Sequence, residues 1–420
     1  MKRTVRNYVI RILIMAILAA VVILIANGVR PSWSESSEQR ADTEITKKND
    51  LILWYYDEDL TPYVQQLASD YFRKNGIRVG CRLVSVVSFF EEINRLNVEG
   101  GDAPDLFITD TTRLEQAYLG SVAETNAYPD IYNLRNYSVK ALTSVMYDGK
   151  MVAYPLCFDM AFFVYNQSYR KEAPESFEAI AKEAESFVKD PDSEKDMTIL
   201  YDVTDLLFEY PFIGDSLSLG GETGDADPEV SCDEKKGIAS LQAYLDYQDK
   251  VKIDRTTTTY DLAENSFVFG RSEMALLKCR SLAVLNREKT PYQICAMPAV
   301  NSEIPSKALS STLCVCVNPM SGHQNDAEEL AKYMTYDHAE ILYGLTGCLS
   351  ARRLSYKEGG FAEVYDLYDQ TASFPKFLET EDLFRDVKQM FDRLAEGDEP
   401  KKVVKTFKKA LESQMTSRKR

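Results

Sequence analysis

The chain of 420 residues is long for one domain and comfortable for two, and its 45% apolar content supplies sizeable cores. The formal net charge is −16, and the only charged residues among the first 30 are Lys2, Arg3, Arg6, Arg11 and Arg30, so the body that follows is more acidic still. Such a body repels nucleic acid and anionic lipid and suits a neutral or cationic partner. With His323 and His338 the only histidines, composition disfavours a zinc or haem centre, and no metal or cofactor is expected.

Lys2, Arg3, Arg6 and Arg11 precede an apolar run from Ile12 to Ala26. Counted from Val9 it reaches about 27 Å at about 1.5 Å per residue, just enough to span a bilayer core. The positive flank stays in the cytoplasm and sends the remainder outside. Residues 1–30 therefore read as a signal or anchor helix, cleaved or retained. Residues 31–50 are polar and without period, a flexible stalk. No cysteine precedes Cys81, so an N-terminal lipid attachment has no thiol to use. The eight cysteines are irregularly spaced and lack a C-x-x-C pair, which predicts free core thiols rather than a disulfide framework.

Leu51–Tyr55 (LILWY) reads as a short buried strand. Thr61-Pro62 opens a helix whose apolar face is Val64, Leu67, Ala68, Tyr71 and Phe72, and Asn75-Gly76 stops it. Ile77, Val79, Cys81 and Leu83 alternate as a second strand. Ser88 with Glu91 and Thr112 with Glu115 have capping-box spacing on either side of a third strand, DLFIT at 105–109. Strand and helix alternate without a hairpin signal, which argues a mainly parallel sheet flanked by helices. Further on, a helix runs over 177–188 and another, capped by Ser231 and Glu234, runs to about Lys250. Strands follow within 267–280, at 292–298 and at 310–318, then helices to the end with breaks at Gly397 and Pro400.

The segment Tyr147–Tyr169 (YDGKMVAYPLCFDMAFFVYNQSY) stands out. A polar turn at Asp148-Gly149-Lys150 leads into an apolar run too rich in Val and Phe for a surface loop. Because Pro155 cannot donate to a sheet ladder, the run reads as two buried strands meeting near it. Asp159 lies in that apolar setting and needs a partner. This segment resembles the crossover strand of the extracellular solute-binding proteins of ABC importers, the maltose-binding-protein-like, family 1 sugar-binding class. Asp148, Gly149, Lys150, Tyr154, Pro155, Leu156, Asp159, Tyr165 and Asn166 carry the match. APDLFITD, FVFGRSEMALL, YQICAMP, VNPMSGHQNDAEELAKYM and GCLSARR follow the family's order with fitting spacing. The resemblance implies an α/β, two-lobe type II periplasmic-binding-protein fold. It places lobe one at 51–154 with 311–350 and lobe two at 155–310 with 351–420, and it implies a hinge that closes on a ligand.

In such sheets ligands sit beyond the carboxyl ends of strands, beside helix N-termini. The candidate ligand-binding residues are therefore Tyr55, Tyr56 and Asp57 after the first strand, and Asp110 and Thr111 after DLFIT. Asp159 lies on the crossover, Arg280 past the ALLK strand, Ser310 and Ser311 before the returning strand, and Arg352 near the last crossover. The chain departs from the family where many sugar binders carry Gly-x-Trp: here stands Lys278-Cys279-Arg280. The FIGDSLSLGG block (212–221) is similar to the nucleophile block of GDSL esterases, with Ser216 as the attacking residue. No Asp-x-x-His follows to supply the base, so no catalytic residue is expected and the chain is not read as an enzyme. The expected function is the extracytoplasmic, membrane-anchored or secreted binding component of an ABC importer. It would be a monomer that captures a small polar solute, a sugar or oligosaccharide, and passes it to ABC permease subunits. The alternative is a membrane-tethered sensor or scaffold of the same fold.

Overall fold

A computed structural model describes residues 50–226, 229–357 and 359–418. The predicted anchor and the stalk up to residue 49 lie outside the described residues. No described helix is long and apolar enough to cross a membrane. Residues 51–420 form one compact unit with its own buried cores, as an independently folding body requires.

The first strands run as the alternation predicts. β1 (Leu51–Tyr55) pairs in parallel with β2 (Val79–Leu83) and β3 (Leu106–Asp110). The Thr61–Asn75 helix between β1 and β2 has Pro62 in its first turn and ends at Gly76, whose φ of 73° only glycine adopts without strain. The expected capping boxes do not form. Ser88 makes no side-chain cap bond, the Asp110 carboxylate rather than Thr112 caps the turn at Thr111–Arg113, and Asp233 rather than Ser231 caps the Glu234–Val251 helix. Thr112 and Ser231 each lose to a nearby carboxylate, and tertiary contacts draw off a box glutamate. Glu115 is that glutamate: it turns away from its own helix to bond Tyr147, Leu378 and Arg418.

β4 (Met146–Tyr147) and β5 (Lys150–Met151) form the predicted tight turn, with Asp148 and Gly149 both at positive φ. The apolar run that follows is one strand, not two: β6 spans Tyr154–Asn166 without a break. It lies at the centre of a ten-stranded sheet and changes partners midway. Residues 154–160 pair antiparallel with β12 (Leu309–Val317), and 157–158 also with β13 (Leu349–Ser350). Residues 161–166 pair antiparallel with β10 (Ser272–Lys278) and β11 (Tyr292–Cys295), and β7 (Met197–Leu200) lies parallel beyond β10. The switch thus falls at Met160/Ala161 and not at Pro155. Pro155 lies opposite Cys314, where the β12 register slips, because a proline has no N–H to offer the ladder. The sheet is consequently parallel at β2–β1–β3, at β10–β7 and where β12 meets Ala372–Ser373, and antiparallel where β6 and β12 pair with each other and with β3, β10, β11 and β13, a mixture the mainly parallel expectation did not contain. β8 (Leu217–Leu219) and β9 (Val230–Cys232) make a separate hairpin around the acidic loop, and β14 (Ala372–Ser373) joins the start of β12.

Side chains alternate across the strands, so β1 feeds two cores. Leu53 faces the Thr61–Asn75 helix with Leu106, Ile108 and Val315, while Trp54 faces the Phe89–Glu99 helix with Phe107, Cys314 and Cys316. Beyond the switch, Phe163, Ile199 and Leu276 pack under the Phe177–Ser186, Leu206–Ile213, Glu234–Val251 and Thr380–Ala395 helices. The eight cysteines are free thiols, five of them buried.

Candidate ligand-binding cleft

The carboxyl ends of β1, β3 and β10 lie toward the middle of β6, near its switch. Tyr56, just past β1, packs edge-on against Phe89 with ring centroids 5.3 Å apart. Its hydroxyl accepts the Asp110 N–H at 2.7 Å. Burial and the Asp110 charge push this phenol up, so it stays a neutral donor. Asp57 is half-buried and holds the Asp59 N–H at 3.0 Å, with no cation paired to it among the described residues; burial pushes its carboxyl up. Asp110 holds the Thr112 N–H at 2.7 Å, and it too is raised by burial.

Asp159 joins the two parts of the sheet. Its Oδ1 accepts the N–H of Met160 at 2.9 Å and of Cys279 at 3.0 Å, which ties β6 to the end of β10. Burial raises its pKa and the Lys278 ammonium opposes the rise. Ser311 lies directly across from it on β12. Asp57 and Asp159 both act electrostatically on the Cys157 and Cys348 thiols. Lys278 pairs with Asp205 at 2.5 Å, its Nζ 5.7 Å from the ring centres of Phe208 and Tyr260. The exposed Arg280 guanidinium lies 4.2 Å over Tyr260 and only 3.8 Å from its nearest carboxylate, Asp261. The Tyr260 hydroxyl accepts the Lys278 N–H at 3.0 Å.

Of the predicted site residues, the structure brings Tyr56, Asp57, Asp110, Asp159, Arg280 and Ser311 to these strand ends. Four others point elsewhere. Tyr55 is 3% exposed and donates to Thr61 within the core. Thr111 is buried. Ser310 is buried and bonds Thr371 at 2.6 Å on the opposite face of β12. Arg352 donates to the Tyr336 carbonyl at 2.6 Å and stacks on that ring. The alternation rule, applied to neighbours, separates Tyr55 from Tyr56 and Ser310 from Ser311.

Arg113, its guanidinium 5.9 Å from the Tyr56 ring centre, and Lys278 were not among the predicted site residues. A cavity of about 370 Å³ lies among Val87, Thr112, Arg113, Phe377, Leu378 and Glu381, within the ordinary range of about 300–1,000 Å³ for ligand pockets. Arg113 pairs with Glu381 beside it. Neither this cavity nor a larger one of about 510 Å³, around Tyr169, Phe187 and Lys195, is lined by any of the six strand-end residues; the smaller one includes Thr112, two residues past Asp110. Arg113 and Lys278 had a legible signal, each lying within three residues of a predicted site residue. Asp205 had none, because the helix it caps, Leu206–Ile213, is buried along almost its whole length and holds Pro211, so no amphipathic pattern marks its start.

Ser216 is 3% exposed and its hydroxyl donates to the Ile213 carbonyl at 2.8 Å. An attacking serine needs an exposed oxygen and a base, and this one has neither access nor, among the described residues, a histidine beside it.

A continuous strand shared by two sheet portions, with the candidate groups gathered where it changes partners, defines a two-lobe α/β fold of type II. No family model matches the chain. Its sequence is similar to the maltooligosaccharide ABC transporter solute-binding lipoprotein of Streptococcus pneumoniae, 20% identical over 235 residues, which is 55% of this chain and 53% of that one. The match thus spans about half the length of that relative. Among solved structures, the chain superimposes on a cyclo/maltodextrin-binding protein complexed with maltotetraose at a TM-score of 0.70 and 14% identity, covering 88% of this chain and 98% of the other. It superimposes on the extracellular solute-binding protein from Staphylococcus aureus in complex with maltose at 0.71 and 18%, covering 88% and 98%. It superimposes on the GacH receptor of Streptomyces glaucescens at 0.70 and 15%, covering 88% and 99%. At such identities the likeness establishes the fold: this chain is built as those maltose- and maltodextrin-binding proteins are. The named sequence relative and these structures are binding proteins by their names.

Proposed function

We propose that this protein is the extracytoplasmic solute-binding component of an ABC importer, and that it captures an oligosaccharide of the maltodextrin kind by closing two lobes on it. The observation that carries the reading is the change of partners along β6 at Met160/Ala161. One strand belongs to both lobes, so a small change of its twist moves one lobe against the other while both sheets stay intact. We place the lobes at 51–154 with 311–350 and 155–310 with 351–420, with residues 155–160 turning with lobe one. The names and bound sugars of the relatives support a linear glucan as ligand.

The chemistry fits a polyhydroxylated solute. Asp57, Asp110 and Asp159 retain carboxylate lone pairs for sugar hydroxyls, while Arg113, Lys278, Arg280 and Ser311 supply donors. Tyr56 offers a ring edge and a neutral hydroxyl. A solute touching both lobes stabilises the shut form by its differential affinity for it. The apolar segment before residue 30 holds the protein outside the membrane, where it acts as a monomer and delivers its solute to permease subunits.

A thermal-shift series on residues 51–420 with glucose, maltose, maltotriose and maltotetraose tests this. A ligand at 100 times its dissociation constant adds about 2.7 kcal/mol. A saturable shift with the linear glucans that is lost in Asp159→Ala supports the reading. A shift with amino acids or peptides and none with any glucan refutes the ligand class.

A further inference from the structure

We infer that the protein carries its own interlobe clasp, in which Arg418 on the last helix closes on Glu115 and sets how far the lobes part before a solute arrives. The inference rests on the lobe division proposed above. Glu115 belongs to the Leu114–Leu119 helix of lobe one and is 1% exposed, yet it is a carboxylate far from bulk water. Its oxygens accept the Tyr147 hydroxyl at 2.7 Å, the Leu378 N–H at 2.8 Å and Nη1 of Arg418 at 2.7 Å, and Nη2 of Arg418 makes a second bond. Tyr147 is on the same lobe as Glu115; Leu378 and Arg418 are on the other. The arginine also bonds Glu379 at 3.1 Å and lies 4.5 Å over the Phe377 ring. A guanidinium forked onto a buried carboxylate is a strong, directional contact.

A second ion pair crosses the same gap. Arg113, two residues before Glu115, bonds Glu381. The cavity of about 370 Å³ lies beside both, sharing Arg113, Phe377, Leu378 and Glu381 with them. The lobes therefore touch along this edge by charge-assisted bonds that need no ligand. Opening breaks the forked Arg418–Glu115 bond and the Arg113–Glu381 pair, and the loss of these bonds biases the ligand-free protein toward the shut arrangement. A protein whose binding-competent form is more populated binds its solute with higher apparent affinity.

Small-angle scattering on residues 51–420 without ligand, for the natural sequence, Arg418→Ala, Glu115→Gln and the double variant, tests the clasp. The expected result is a larger radius of gyration in each single variant, no further growth in the double variant, and a partial return in Arg418→Lys. In glucan titrations the dissociation constant rises roughly fivefold or more in Arg418→Ala. An unchanged ligand-free radius in Arg418→Ala, with only a lower melting temperature, makes the contact structural glue and overturns the proposal. Should Glu115→Gln fail to fold, Arg418→Ala alone decides. The scattering comparison uses no ligand, so it stands or falls apart from the sugar assignment.

Discussion

Lys376 is the most exposed prediction to a quantitative test. It is 1% exposed, and its ammonium donates to the carbonyls of Thr143 at 2.7 Å and Met146 at 2.5 Å. Burial pushes its pKa from 10.5 down to about 7, while the Asp225 carboxylate works against the fall. Because the folded pKa lies below the unfolded one, the unfolded chain holds more protons between about 7 and 10.5, and stability rises with pH across that window. At about 1.4 kcal/mol per pH unit, a step from pH 7 to 8.5 adds on the order of 2 kcal/mol at most. Two other sets of groups oppose it. Glu209 is raised to about 8 and loses stability as pH climbs toward that value, and the Cys81 and Cys232 thiols, raised to about 12 and 11, do so above pH 8.5. Both are present in Lys376→Met, so the difference between the two proteins isolates the lysine. Urea unfolding of residues 51–420 at pH 7, 7.75 and 8.5 gives that difference: the natural protein gains on Lys376→Met as pH rises. Equal pH slopes in both proteins would mean that the lysine stays charged in the fold, and the reasoning would be refuted.

Other outcomes follow from single contacts. Phe158 stacks on Tyr368 with centroids 3.8 Å apart, 1% exposed at the middle of β6, so Phe158→Ala costs about 3–5 kcal/mol in urea unfolding. A loss below about 1 kcal/mol would show that the shared strand is not tightly packed there. Lys278→Met leaves the Asp205 and Asp159 carboxylates without their ammonium and weakens glucan binding by calorimetry, with a stability loss of about 1–3 kcal/mol; unchanged affinity removes Lys278 from the cleft. Ser216→Ala forfeits one buried hydrogen bond, about 1 kcal/mol, and leaves glucan binding intact. Ester turnover that this variant abolished would restore the hydrolase reading.

The order of strands and helices was written along the chain in local patterns. Thr61-Pro62 and Asn75-Gly76 bracket their helix because a fixed φ starts one and a left-handed φ ends it. Val79–Leu83, Leu106–Asp110 and Leu309–Val317 lie where apolar alternation puts them, and the five matching phrases are enough to identify the fold. Those signals are local, so one strand's reading needs no knowledge of its neighbours. Partner choice was not legible. β6 looked like two strands because a proline suggests an end, but a ladder can step past one missing N–H with a bulge, and the true division lies where the neighbours change from β12 to β10. Nor could the sequence tell Tyr55 from Tyr56 or Ser310 from Ser311, since the facing of a residue follows from the register of the whole sheet. Glu115 had the spacing of a helix cap, and only the arrival of Tyr147, Leu378 and Arg418 from 32, 263 and 303 residues away turned its carboxylate inward. Tertiary structure decides such cases because a buried charge goes where its bonds are most complete, and those bonds come from segments that meet only after the chain has folded.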